Sequence, residues 1–118
     1  LITMDNTRRI CIPSTGPETG DLVDDRFGRA PFFMIYDTGT KTYEGHKNPA
    51  CDGMGGVGPK AAQFLINHGV TVLVAERVGG NALEALRAGG IEVLLFDKKG
   101  ATVRDAIKAF LQGELREQ

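Results

Sequence analysis

The feature that most constrains this fold is a regular alternation of short apolar runs with clusters of glycine. The 16 glycines of the 118-residue chain concentrate between apolar segments. Glycine interrupts helices and strands, so clusters placed in this way mark boundaries between elements rather than low complexity. The clusters are Gly53 with Gly55, Gly56 and Gly58, then Gly79 with Gly80, then Gly89 with Gly90. The sequence therefore predicts several short strands and helices.

Five segments are predicted as strands, four of them from apolar runs with β-branched or aromatic content and the third, which is more polar and alternates weakly, from its position after a turn. They lie at 9–12, 32–36, 41–47, 70–74 and 91–96. The run Asp37-Thr38-Gly39-Thr40 is a turn signal, which indicates that the second and third strands form a hairpin. Cys11 alternates within the first strand, so we expect its side chain in the core.

Three further segments, at 59–68, 81–88 and 103–111, have the signals of helices. Pro59 suits a first helical position, and Gly69 suits a C-terminal cap. Asn81 is a candidate N-cap for the second helix, as Thr102 is for the third. The third segment also carries an apolar stripe at helical spacing, which predicts one buried face.

The predicted order is βββαβαβα, which indicates the α/β class. Helical crossovers place the last two strands parallel, and the hairpin places the second strand antiparallel to its neighbours. We expect a five-stranded mixed sheet with helices on its faces, similar to the ribonuclease H-like three-layer architecture. The length is that of one domain over residues 1–118, with a core at about 8–114 and a mobile leader (1–7) and tail (115–118).

This topology also predicts where a ligand binds. The loops at 14–31, 49–58, 75–81 and 97–101 should lie along one edge of the sheet, at the carboxyl ends of its parallel strands. Open α/β sheets usually bind ligands at that edge. Three helix N-termini point there as well, each with free N–H groups and a partial positive charge. The predicted ligand is an anion.

Composition excludes several classes of protein. The net charge of -1 argues against nucleic acid as the main ligand. The two cysteines form no C-x-x-C pair, which argues against a zinc ribbon and favours a reducing, cytoplasmic location. The first eight residues hold no apolar run of the signal-peptide kind, and no stretch approaches the ~18 apolar residues of a membrane span.

Five motifs in order give the chain a family resemblance. They are Asp25-Arg26-Phe27-Gly28-Arg29-Ala30-Pro31, Asn48-Pro49, Gly56-Val57-Gly58-Pro59-Lys60-Ala61-Ala62, Val78-Gly79-Gly80-Asn81-Ala82 and Thr102-Val103-Arg104-Asp105-Ala106. Over about residues 8–114 the chain resembles the dinitrogenase iron–molybdenum cofactor biosynthesis family. That family includes the small NifX-like proteins and the C-terminal domain of NifB-like proteins.

The resemblance implies a ribonuclease H-like fold and a role in nitrogen fixation, as a binder or carrier of an iron–sulfur or iron–molybdenum cofactor precursor. Cofactor-assembly proteins are the implied partners. Many members have histidines where this chain has Arg26 and, in its glycine-rich loop, Cys51 or Asp52. Thiolate is the usual ligand of iron–sulfur clusters, so Cys51 is the candidate metal ligand. The predicted cofactor-binding set is Arg26, Phe27, Gly28, Arg29, Asn48, Cys51, Asp52, Gly55, Gly56, Gly58, Gly79, Gly80 and Asn81.

Several alternatives stay open at this point. Arg26 and Arg29 can grip an anion or pair with Asp24 or Asp25. An enzyme is disfavoured, because two-metal nuclease chemistry needs several carboxylates and the first strand has none. The glycine-rich loop lacks the Gly-Lys-Ser/Thr ending of a nucleotide-binding P-loop. The second function considered is a regulatory or interaction module that binds a small anion or a partner protein without a metal cluster.

Overall fold

The computed structural model describes residues 7–118 of the chain. In chain order its elements are β1 (Arg9–Ser14), β2 (Phe32–Asp37), β3 (Thr42–Lys47), α1 (Val57–Asn67), β4 (Val72–Ala75), α2 (Gly80–Ala88), β5 (Glu92–Leu95), α3 (Val103–Leu111) and β6 (Arg116–Glu117). The predicted leader lies, apart from Thr7, outside the described residues, and its mobility stays a prediction.

All strands join one mixed sheet in the order β3-β2-β1-β4-β5-β6. The central strand β1 is parallel to β4, which is parallel to β5, whereas β2 is antiparallel to both β1 and β3. The predicted hairpin and the predicted parallel crossovers are therefore confirmed. Their consequence is that the carboxyl ends of β1, β4 and β5 share one edge of the sheet.

The expected number of strands, five, is wrong because the C-terminal segment adds a sixth. Arg116 lies opposite Leu95 in an antiparallel pair, and the N–H of Gln118 donates to the carbonyl of Val93 at 3.0 Å. The segment predicted as a mobile tail, 115–118, thus covers the free edge of β5. Such pairing runs through backbone groups that an edge strand otherwise leaves unpaired, so the segment needs no strand-like side chains.

Helices cover both faces of the sheet, which gives three layers. One apolar cluster joins α1 and α2 to the first face, and a second joins α3 to the opposite face. Side chains of β1 alternate between them, with Cys11 in the first cluster and Ile10 and Ile12 in the second. Cys11 is fully buried, as predicted, and this burial raises the pKa of its thiol. Within residues 7–118 no helix has the length and apolar character needed to cross a bilayer.

Two helices begin earlier than the sequence signals indicate. α1 starts at Val57, so Pro59 is its third residue rather than its first. The preceding Gly56 has a left-handed backbone with φ of 65°, a conformation that favours glycine. α2 is preceded by Gly79 as its N-cap, so the predicted capping role of Asn81 is wrong. In both cases a glycine turn, and not a capping side chain, sets the start.

At the opposite end of the sheet, one guanidinium ties three strands to a helix. Arg9 donates to Asp37 at 3.2 Å, to Glu44 at 3.1 Å and to the carbonyl of His68 at 2.9 Å. It thereby links β1, β2 and β3 to the C-terminal end of α1. Hydrogen bonds from Arg9 and then from His46 lower the pKa of Glu44 from 4.5 to about 2.

We predict that Glu44→Gln makes the free energy of unfolding fall less as the pH is lowered below 4.5. A carboxylate with a lowered folded-state pKa contributes stability above pH 4.5, and that contribution is lost as the pH falls from 4.5 to about 2. Because Glu44 is 42% exposed, we expect at most about 1 kcal/mol at neutral pH. Urea unfolding at pH 6 and at pH 3 measures the difference. The exposed Glu114, changed to Gln, is the control, and an equal effect there would contradict the assignment.

Candidate functional site

The carboxyl-end edge of the sheet contains a cavity of about 390 Å³. Three segments that are distant in sequence line it, at 26–29, 56–59 and 77–82. They come from the loop after β1, the start of α1, and the β4–α2 junction. Ligand pockets in proteins usually measure ~300–1,000 Å³, so the cavity suits a small molecule or a cluster better than a bare ion.

Most of the predicted binding residues meet at this cavity. Those that line it are Arg26, Phe27, Gly28, Arg29, Gly56, Gly58, Gly79, Gly80 and Asn81. Among the predicted residues, Asn48, Cys51, Asp52 and Gly55 do not line it. The fourth predicted loop, 97–101, borders a separate cavity with residues 22–25. Glu76 of the third predicted loop lines this second cavity too and pairs with Lys99 at 3.1 Å. The four loops therefore share one edge of the sheet, although three of them line the first cavity, and a ligand role for each lining residue stays a prediction.

Asn48 holds the loops together instead of facing the cavity. Its side-chain amide donates to the carbonyls of Gly28 at 3.0 Å and Ala30 at 2.9 Å, and its oxygen accepts from the N–H of Ala50 at 2.9 Å. The residue is 3% exposed, and these three bonds use both ends of its amide. Asn48 therefore positions the loops around the cavity, and a direct contact of Asn48 with a ligand stays a prediction.

The glycine-rich loop, 51–56, lies beside the cavity. Cys51 is a free, half-buried cysteine, and Asp52 and Gly55 are exposed. The carbonyls of Cys51 and Gly53 accept hydrogen bonds from Arg29 at 3.2 and 2.7 Å. Within residues 7–118, no three or more His, Cys, Asp or Glu side chains are grouped so that they could hold a metal ion. A protein-ligated metal centre would need donors from elsewhere.

Glycines let the three lining segments touch. A Cβ at Gly58 would lie 2.8 Å from the Cβ of Ala82, which no native contact allows, so α1 and α2 meet at a point that only glycine fits. A Cβ at Gly28 would lie 3.1 Å from Val57 and 3.2 Å from the backbone nitrogen of Gly58. Phe27 is buried beneath the loop, with its ring centroid 5.6 Å from that of Phe33.

The first turns of α1 and α2 both face the cavity, and neither has a side-chain cap or an acidic residue. Their first backbone N–H groups lack intrahelical acceptors, as in every α-helix. Gly80, Asn81 and Ala82 in α2, and Gly58 in α1, all line the cavity. Two uncapped helix starts therefore present N–H donors and partial positive charge to the same space.

The third helix start does not contribute, which corrects the expectation of three. Thr102 accepts from the N–H of Asp105 at 3.1 Å, and the Asp105 carboxylate accepts from the N–H of Thr102 at 2.9 Å. This is a capping box, as Thr102 predicted. The N–H groups of Val103 and Arg104 donate to carbonyls of the loop after β1. All early donors of α3 are thus already used.

Three arginines line the cavity, but two are engaged. Arg26 binds Asp24 through two hydrogen bonds, at 3.1 and 3.0 Å, and these bonds raise the pKa of Arg26. Asp24 is 5% exposed, and Arg26 is its charge partner. This is the pairing that the sequence left open as an alternative to binding an anion. Arg29 donates to the glycine-rich loop as described above. Arg77 forms no hydrogen bond or ion pair with any residue among 7–118.

A match to a known family decides the chain's membership. The sequence profile described as dinitrogenase iron-molybdenum cofactor matches residues 8–113. The chain belongs to this family. The resemblance given by the five motifs is thereby confirmed, over almost the range that the motifs indicated.

Two solved structures share this fold closely, and one further protein is similar in sequence. The apo form of the orange protein from Desulfovibrio gigas superimposes with a TM-score of 0.89, at 40% identity, over 94% of this chain and 92% of that one. A Thermotoga protein described as a candidate NifB protein of the DUF35 family gives 0.81, at 44% identity, over 93% and 92%. An uncharacterized protein of Methanocaldococcus jannaschii is 30% identical over 102 residues, which are 84% of this chain and 85% of that one. The label ribonuclease H-like is not confirmed and stays a prediction.

Sequence reasoning missed four residues that line the cavity of this family member, which are Val57, Pro59, Arg77 and Ala82. Arg77 had a usable signal. It is the second residue after β4, inside a loop that the topology placed at the ligand-binding edge. Ala82 had none, because its contact with Gly58 depends on how two helices pack.

We predict that Gly58→Ala lowers the free energy of unfolding and that the added change Ala82→Gly restores it. The new Cβ would overlap that of Ala82, and overpacking of this kind costs about 1–3 kcal/mol. The double variant Gly58→Ala with Ala82→Gly removes the overlap, and Ala82→Gly alone corrects for helix propensity. Chemical unfolding of all four proteins gives the coupling energy. Purely additive effects would mean that the two residues do not constrain each other.

We predict that Arg26→Gln lowers the thermal midpoint by several degrees, because it leaves the buried Asp24 carboxylate without its charge partner. Replacing both residues, Asp24→Asn with Arg26→Gln, removes the stranded charge and should recover most of the loss. Calorimetry of the two variants tests this. A double variant no more stable than Arg26→Gln would refute the pairing as the cause.

Proposed function

We propose that this protein binds and carries an anionic iron–sulfur or iron–molybdenum type cofactor, or its precursor, during cofactor assembly. The observation that carries the proposal is the cavity, where two uncapped helix starts meet Arg29 and Arg77, neither of which is paired with a carboxylate among residues 7–118, and where no carboxylate in that range is part of the lining. The guanidiniums and the free helix N–H groups of such a lining favour negative charge. Membership of a family described by the iron-molybdenum cofactor indicates which kind of anion to test first.

The donor set indicates how the cargo would be held. No thiol or imidazole in the described residues lines the cavity, so a cargo there would bring its own sulfide ligands and be held by charge and hydrogen bonds. Sulfide and oxide ligands on such a cluster are acceptors for N–H donors. Cys51 as a direct metal ligand stays a prediction, because its side chain does not line the cavity and, within residues 7–118, it belongs to no group of three or more His, Cys, Asp or Glu side chains that could hold a metal ion.

A carrier role fits this arrangement better than catalysis. A binder needs complementary charge and shape, whereas an enzyme also needs a positioned acid, base or nucleophile. The guanidiniums that line the cavity stay protonated at neutral pH and cannot move protons. We therefore infer a binding protein that acts in the cytoplasm with cofactor-assembly partners, and we expect neither nucleic acid nor a membrane as its target.

Gly80→Asp is the sharpest test of the proposal. A Cβ at Gly80 meets open space, and an aspartate in the first turn of α2 favours the helix while it repels an anion. We expect folding to be preserved and cargo binding to fall about tenfold, the effect of one adverse charge at close range. The measurement is anaerobic reconstitution with iron and sulfide, with and without molybdate, followed by metal analysis and absorbance of the desalted protein.

Two matched variants serve as controls. Gly20→Asp makes the same change at another glycine with open space around it, outside the cavity lining, and should load like the wild type. Gly80→Ala tests size without charge and should also load normally. Cys51→Ala separates the two binding modes, since a cargo held by charge survives this change. Wild type that takes up no metal, or Gly80→Asp that loads as well as Gly20→Asp, would count against the carrier role.

A second function is a regulatory or interaction module that binds a small anion without a cluster. The lining of cations and N–H groups, with no metal donors, also suits phosphate or sulfate. Thermal shift against phosphate, sulfate and nucleotides in metal-free buffer distinguishes this function. Stabilisation there by a simple anion, together with no metal uptake on reconstitution, would favour it.

A further inference from the structure

We propose that Arg77 is the residue that selects the charge of the bound anion, and that it discriminates divalent from monovalent anions. This inference deepens the proposed function and rests on the same cavity. It follows from a difference among the three arginines that line the cavity. They carry the same side chain, but each has different hydrogen-bond partners.

Arg26 cannot turn toward a ligand without cost. Its guanidinium is bound to Asp24 by two hydrogen bonds, and the Asp24 side chain is 4% exposed. A ligand that drew the guanidinium away would leave the buried Asp24 carboxylate without its charge partner and with the backbone N–H of Arg26 as its remaining donor, which is costly for a buried charge. Arg26 and Asp24 together present almost no net charge to the cavity.

Arg29 keeps its charge, but its reach is limited. One terminal nitrogen already donates to the carbonyls of Cys51 and Gly53, across the mouth of the glycine-rich loop. Those bonds fix the guanidinium toward the loop. Arg29 therefore contributes a fixed background field rather than a side chain that adapts to the ligand.

Arg77 is exposed, lines the cavity and has no hydrogen-bond or ion-pair partner in residues 7–118. It can form charge-assisted hydrogen bonds with a ligand and break none. Its attraction is proportional to the charge of the ligand, so it strengthens binding of a dianion twice as much in free energy as binding of a monoanion.

The backbone on both sides of Arg77 is held in place. Glu76 pairs with Lys99 at 3.1 Å. Val78 is buried, and its N–H and carbonyl bond to the side-chain amide of Gln118 at 2.8 and 2.6 Å. A free guanidinium on a fixed segment loses little conformational entropy of the main chain when it meets a ligand.

Molybdate and perrhenate form a matched pair for the test, because both are tetrahedral oxyanions of similar size and differ by one charge. Titration calorimetry at low salt should show that wild type prefers molybdate. Arg77→Gln should weaken molybdate about tenfold and perrhenate about threefold, since halving the ligand charge halves the free-energy change. Arg116→Gln removes a charge from an exposed arginine of β6 outside the cavity, and should change both affinities less than about twofold.

Three results would overturn the role of Arg77: no binding of either oxyanion by wild type, equal losses for the two oxyanions in Arg77→Gln, or the same loss in Arg116→Gln. Failure here is distinguishable from failure of the carrier role. If Arg77→Gln keeps the normal oxyanion preference while Gly80→Asp loses metal loading, the inference about Arg77 is wrong and the carrier role stands. Charge selection that depends on Arg77, in a protein that loads no metal, supports the inference and removes the carrier role.

Discussion

The close contact between the first turns of α1 and α2, where Gly58 meets Ala82, is the constraint on which the cavity depends. α1 and α2 belong to different crossovers, and the first turn of each must lie at the same edge of the sheet. Contact at a position with no side chain brings the two sets of free N–H groups to one space. Gly28 does the same for the loop after β1, which packs against the first residues of α1. Without these contacts the fold would keep its layers but lose a common site.

The charges of the cavity are arranged by the same packing. The buried Asp24 fixes Arg26, and the carbonyls of the glycine-rich loop fix Arg29, so these two side chains are held in place before any ligand arrives. The third helix start satisfies its own donors through Thr102 and Asp105. The free N–H donors of helix starts are thus concentrated in one part of the edge, between α1 and α2. A preorganised site of this kind binds without the cost of reorienting its dipoles.

Much of this fold is readable from local signals, and the exceptions have a common cause. Glycine clusters and β-branched runs located the first five strands and the three helices, because both depend on neighbours in sequence. α1 begins two residues earlier than predicted, at Val57 rather than at Pro59, because the left-handed Gly56 precedes the helix. The sixth strand was missed because Arg116 and Glu117 pair through backbone groups that carry no side-chain signature. Asn48 was assigned to the ligand, but its amide joins two loops that only the fold brings together.

By itself the sequence determined the order of elements, the direction of the strands and hence the edge where the glycine loops end, because turn chemistry and the handedness of crossovers act locally. It also determined the family, through five short motifs in order. Tertiary structure alone decided which arginines are paired, which helix starts remain uncapped and which of the loop residues face the cavity. Those properties depend on distances between residues that are far apart in the chain, such as Arg29 and Gly53 or Val78 and Gln118. No periodicity or composition encodes such distances, because packing sets them only once the whole sheet has formed.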